Sequence, residues 1–237
     1  MCSNYEPVTS QDRLLAHFGA KADSDPPQVE AWPLSKAPFI KLAEDGSGNR
    51  VCETGQFGLL PRFATELAYG RKTYNARSET VAEKQSFRHA WAAGQRCIVP
   101  AERIYEPCHE TDPPVRWAIQ MPGGAPMGIA GIYRRWKGPN GQELYSFAML
   151  TVNADGHPVM QRFHRKEDEK RMVIILDEKD YADWLSCSVE EAPKYFRRWE
   201  GQLDAYAKPL PPRGPKAEKG DLPRAKPATP EGDLFAG

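Results

Sequence analysis

Short apolar runs, rich in β-branched and aromatic residues, crowd into the stretch from residue 97 to 176: Cys97-Ile98-Val99, Trp117-Ala118-Ile119, Gly128 to Tyr133, Ser146 to Val152 and Met172 to Leu176. Pro/Gly turns such as PGGAP and GPNG separate them. Each run is too short for a buried helix and carries the residues that suit a pleated, half-buried surface. They predict mostly antiparallel strands joined by tight turns. A chain with many short strands and few helices closes its hydrogen bonds best by curling, so the expected fold is α+β, one compact domain around a curved, barrel-like sheet with peripheral helices.

Three helices are predicted around that sheet. Thr80-Val81-Ala82-Glu83 reads as a capping box, with Phe87, Ala90 and Trp91 at helical spacing and Gly94 as a stop, giving a helix over about 81–93. A second covers about 178–185, with Tyr181, Trp184 and Leu185 on one face. A third starts at the box Ser188-Val189-Glu190-Glu191 and turns Tyr195, Phe196 and Trp199 inward. After Leu203 the composition changes to KPLPPRGPKAEKGDLPRAKPATPEGD, with little to bury. The chain thus divides into a domain over 1–203 and a Pro/Lys-rich tail over 204–237 that is expected to be disordered.

Composition narrows the class further. No run of about 18 apolar residues occurs, so no membrane span or membrane partner is expected. The start, MCSNYEPVTSQD, has no basic segment leading into an apolar one, which predicts a cytoplasmic protein. The 5 cysteines form no CxxC pair, which argues against a disulfide framework and a thiolate metal centre; no metal or cofactor is expected. Lys plus Arg and Asp plus Glu balance at 32 each. That balance is silent about nucleic acid, because a short strand needs only a local basic groove.

Four places carry residue types suited to chemistry. Loss of Met1 would leave Cys2 with a free α-amine (reference pKa about 7.7–8.0) beside its thiol (about 8.5). Such a 1,2-aminothiol condenses with an aldehyde to a Schiff base and closes a thiazolidine ring; an internal cysteine, its nitrogen in a peptide bond, does not. Taken alone, a cysteine at position two reads more readily as accidental. Tyr74-Asn75-Ala76-Arg77-Ser78-Glu79-Thr80 offers an amide and a planar guanidinium suited to phosphate, or simply a helix-capping loop. In Val99 to Pro107, Ile104 and Glu106 share a face of an extended segment, so Glu106 is a candidate acid or base if buried, and otherwise a surface carboxylate. His164, within Gln161-Arg162-Phe163-His164-Arg165, lies among cations that would keep its ring neutral; a structural role is the alternative.

The succession of Cys2, YNARSET, the segment Ile104-Tyr105-Glu106-Pro107 and a His shortly before Lys170-Arg171-Met172 resembles the SOS response-associated peptidase (SRAP) family, over about residues 1–185. GLLP at 58–61 is similar to that family's Gly-Leu-Ile-Pro segment. The resemblance implies a single compact α+β fold with a positively charged groove, and a protein that binds abasic sites in single-stranded DNA and crosslinks them through the mature N-terminal cysteine, here Cys2. It assigns orientation of the cysteine or sugar to Asn75, phosphate contact to Arg77, the active-site carboxyl to Glu106 and sugar-opening chemistry to His164. It also implies a peptidase activity that includes removal of residues before the cysteine. This chain departs from the family in having Ser3-Asn4 where Gly-Arg is usual, five residues (RKEDE) between His164 and Lys170, and Phe57 and Phe63 where the family has tryptophans.

The expectation that follows is a monomeric sensor and shield of abasic single-stranded DNA, nucleoid-associated on DNA damage. Its phosphates would meet Arg77, Arg62 and Arg162, and Phe63 would stack on a base. Two other readings stay open: a cysteine hydrolase built from Cys2, His164 and Glu106, and a plain single-strand-binding module with an inert Cys2. Trp91, Trp117, Trp136, Trp184 and Trp199 are read as core.

Overall fold

The computed structural model describes residues 2–22 and 30–211. In chain order the elements are β1 (Asn4–Pro7), α1 (Gln11–Phe18), β2 (Ala20–Ala22), β3 (Lys36–Leu42), β4 (Arg50–Phe57), β5 (Asn75–Arg77), α2 (Arg88–Ala92), β6 (Arg96–Cys108), β7 (Val115–Gln120), β8 (Met127–Lys137), β9 (Glu143–Asn153), β10 (Arg171–Val173), β11 (Ile175–Leu176), α3 (Tyr181–Ser186) and β12 (Asp204–Ala207). The expected α+β class is what the chain adopts. Strands β4, β3, β6, β8 and β9 pair in that order, and β9 pairs back onto β4, so five strands close a barrel. Closure removes the edges that an open sheet would expose. Aromatic rings fill the interior: Phe39, Phe57 and Phe147 meet with centroids 5.5 Å apart along the series, and Tyr5 meets Phe57 edge-on at 5.3 Å.

The long strand β6 links barrel and site. Its first half pairs with β8, from Arg96 opposite Ile132 to Ala101 opposite Met127. Its second half leaves the barrel and is flanked by β1 on one side and β7 on the other. Because β1 runs antiparallel with Asn4 opposite Tyr105, the chain start at Cys2 is delivered alongside Tyr105 to Pro107. Strands β4 and β5 both pair parallel with β9, end to end, so the loop between them must fold back sharply. Gly58 permits this: it has φ 120°, and a Cβ there would sit 2.3 Å from the Gly70 carbonyl oxygen.

Several local expectations are corrected. The helix expected over 81–93 is α only at Arg88–Ala92; residues 78–87 are turns. The Thr80 carbonyl does accept from Glu83 and Lys84 N–H, but Ser86 Oγ bonds Tyr69 OH, and this docking of the segment onto the 58–73 loop overrides helix propensity. The run Met172 to Leu176 splits, because Ile174 donates to Leu150 on β9 and accepts from Ala130 on β8, moving the chain from one strand to the other. The box at Ser188 forms in both directions, Ser188 N–H to Glu191 Oε2 at 3.0 Å and Glu191 N–H to Ser188 Oγ at 3.2 Å, yet only a 3-10 turn at Ala192–Tyr195 follows. Asp204–Ala207, placed in the tail by composition, is a strand on the edge of β7. The remainder of that tail beyond residue 211 lies outside the described residues. No helix among the described residues is long and apolar enough to cross a membrane.

Candidate functional site

Cys2, Asn75 and Glu106 come together where β1, β5 and β6 meet. Cys2 is 2% exposed. Asn75, at the start of β5, donates from Nδ2 to the Cys2 carbonyl at 2.7 Å, and its Oδ1 is buried with no partner. The Cys2 thiol donates to the Asn4 carbonyl at 3.4 Å. Burial drives the thiol pKa well up, and the Glu106 carboxylate pushes in the same direction. The sulfur is therefore held as a neutral thiol. Glu106 is itself buried, and burial pushes its carboxyl up to about 7. Near neutral pH such a group both gives and takes a proton.

Glu106 faces a cavity of about 180 Å³ lined by Ser3, Asn4, Trp32, Tyr105, Pro107 and Arg116. The Arg116 guanidinium carbon lies over the Tyr105 ring, 3.5 Å from its centroid, and the guanidinium holds Asn4 Oδ1 at 2.6 and 3.1 Å and Glu30 at 2.9 Å. Asn4 is thus buried beneath a guanidinium and turned away from solvent. Trp32, 42% exposed, forms one wall. None of these wall residues is marked by a local pattern; only the pairing of β6 with β1 and β7 assembles them.

His164 lines a separate cleft. It follows a 3-10 turn at Met160–Phe163, and Phe163 packs against Trp117, the residue directly across from Glu106 on β7. The Arg171 N–H donates to His164 Nε2 at 3.4 Å, and Nδ1 is buried on the side of the Met160 backbone. Burial, the largest cause, lowers its pKa to about 4, so the ring is neutral. Below it, the Arg171 guanidinium is almost fully buried and ties Glu79, Glu169 and the Thr151 carbonyl together at 2.8–2.9 Å. The YNARSET segment and the His164 loop are thereby fastened to one cation.

The expected DNA contacts divide into two groups. Arg77 pairs with Glu169 at 2.8 Å, and Arg162 pairs with Glu110 at 2.7 Å while lying over the Trp117 ring at 4.4 Å. Both stand on the His164 side, where a cleft of about 420 Å³ is lined by Arg162, His164, Lys166 and Lys170 among others. Trp117, read as core, is half-buried beneath Arg162. Arg62 and Phe63 lie elsewhere, exposed on a turn over the β8–β9 hairpin. Among the described residues no group of three or more His, Cys, Asp or Glu gathers to hold a metal.

The family model for SOS response associated peptidase (SRAP) matches residues 1–207. The chain belongs to the SRAP family. Among its relatives is the abasic site processing protein YoqW of Bacillus subtilis (strain 168), 30% identical over 192 residues, covering 78% of this chain and 80% of that protein. The abasic site processing protein HMCES of Rattus norvegicus is 30% identical over 216 residues, covering 77% of this chain and 58% of HMCES. A crystal structure of a protein from Bordetella bronchiseptica superposes with TM-score 0.81 at 35% identity, over 88% of this chain and all (100%) of the other. One from Bacteroides thetaiotaomicron shares the fold at TM-score 0.74 and 24% identity, over 87% and 91% of the two chains.

Proposed function

We propose that this SRAP protein processes abasic sites in single-stranded DNA by capturing them covalently on Cys2 once Met1 is removed. The naming of its relatives YoqW and HMCES as abasic site processing proteins supports the substrate. The observation that carries the chemistry is the grip of Asn75 on the Cys2 carbonyl, which fixes residue two beside a buried, half-protonated Glu106.

The steps follow from that arrangement. Glu106 protonates the ring oxygen of the deoxyribose while neutral His164 takes the C1′ hydroxyl proton, so that the C1′–O4′ bond breaks and C1′ opens to the aldehyde. The Cys2 amine adds to C1′; the carbinolamine loses water to give the Schiff base. Sulfur then adds to C1′ as the C=N electron pair returns to nitrogen, which takes up the thiol proton, closing the thiazolidine. The balance is one aldehyde and one aminothiol in, one thiazolidine and one water out. A cysteine hydrolase would need a ready thiolate, whereas burial and Glu106 keep this thiol protonated, which favours the amine-first route.

Cys2→Ala should retain weak DNA binding and lose all crosslinking to an abasic oligonucleotide, read by denaturing gel and intact mass. An undiminished adduct in that variant defeats the proposal. So does an adduct on wild-type protein whose mass retains Met1.

A further inference from the structure

The turn carrying Arg62 is clamped over one point of the barrel wall. Leu60 N–H donates to Ser146 Oγ at 2.9 Å, and Trp136 Nε1 donates to the Ala64 carbonyl at 3.0 Å. Ser146 is the partner of Arg134 across β8–β9, and Trp136 is two residues along the same face of β8. The clamp therefore sets Arg62 over Arg134. Arg134 is half-buried, and its Nε is enclosed without a partner. Each cation opposes the other, and among the described residues neither has a carboxylate partner. The adjacent Arg135 and Lys137 point the other way and share Glu143. Two guanidiniums brought together without a counter-charge cost free energy unless an anion joins them. Beside them Phe63 stands 45% exposed, its ring edge-on to Tyr69 at 5.4 Å.

We infer that Arg62 and Arg134 form a second phosphate subsite, outside the Cys2 pocket, that holds the DNA strand where it runs on from the lesion. The inference rests on the reading of single-stranded DNA as substrate and extends its track. Ser146 and Met149 are three residues apart on β9, roughly 10 Å at about 3.3 Å per residue, and so face opposite sides of the sheet; Ser146 faces Arg134 on the outer side, Met149 is the partner of Asn75, which holds Cys2, and a DNA strand joining the two sites passes around the barrel wall. Paired arginines grip a phosphate through several N–H donors, and Phe63 gives the neighbouring base a surface to stack on.

The test compares the full chain with Arg62→Gln, Arg134→Gln and the double variant on two abasic oligonucleotides, one ending beside the lesion and one extended on both sides. Each guanidinium lost should lower the salt slope of binding to the extended strand by about 0.7. Affinity for that strand should fall while the short one is bound as before, and the crosslinking rate at saturating DNA should be unchanged. Because Arg62 is exposed and Arg134 is relieved of repulsion, thermal melting should not fall. Unchanged slope and affinity on the extended strand overturn the inference. So does an equal loss on both strands, or binding of inorganic phosphate that the variants abolish with no dependence on strand length. If wild-type protein forms no adduct, the Cys2 proposal fails, while non-covalent affinities still decide this one.

Discussion

At the scale of single residues, the proposed chemistry uses two groups whose pKa values the fold shifts in opposite directions. Glu106 is pushed up to about 7, mainly by burial, from about 4.3 in an unfolded chain. A carboxyl raised in this way adds stability that is complete below the unfolded value and is lost as pH climbs through the folded one. Glu106→Gln, neutral at every pH, should therefore melt higher than wild type by a few degrees at pH 8 and by much less at pH 5, while crosslinking slows about 10²-fold or more. Calorimetry at the two pH values checks the first expectation; a melting difference that does not widen with pH would show that the carboxyl is not buried as described. His164 runs the other way: lowered to about 4 by burial, it should show imidazole NMR shifts that stay those of the neutral ring down to about pH 5. Titration near the ordinary value of about 6.5 would contradict that burial.

At the scale of elements, both arginines expected to meet DNA on the His164 side already hold a carboxylate from a neighbouring loop, Arg77 with Glu169 and Arg162 with Glu110. DNA must displace those carboxylates to reach the guanidiniums. Exposed pairs of this kind contribute about 0–1 kcal/mol, so the barrier is small. Glu169→Gln and Glu110→Gln should each tighten binding of single-stranded DNA by up to about fivefold at low salt, measured by fluorescence anisotropy. Unchanged affinity in both would mean that neither arginine meets phosphate. A third loop explains why local pattern misled at 81–93: a capping box is a statement about one turn of chain, and docking of residues 78–87 against the 58–73 loop decided the backbone instead.

At the scale of the whole molecule, the site depends on β6 being shared between the barrel and the β1–β6–β7 flap. Strand β12 extends that flap, with Arg103 bonded to Tyr206 OH at 2.8 Å across it. A chain ending at Leu203 would expose the edge of β7, the strand that carries Trp117 and Arg116 beside Glu106. It should melt several degrees lower than the full chain and crosslink more slowly; equal melting and equal rate would show β12 to be dispensable.

What residues alone determined is what is local or chemical: the aminothiol latent in Cys2, the strand runs between 97 and 152, the helix around Trp184, and the succession of motifs that resembles SRAP proteins. These are legible because side-chain chemistry and a period of two are properties of short segments. Tertiary structure alone decided which strands pair, since the parallel joins of β4 and β5 to β9 link positions far apart in the chain. It also decided protonation and pairing: the same Glu106 would be an ordinary surface carboxylate but for the strands that bury it, and Arg116, Trp32 and Arg134 acquire their settings only when distant segments are packed around them. Burial is a property of the assembled fold, and with it comes the desolvation that sets every charge in the site.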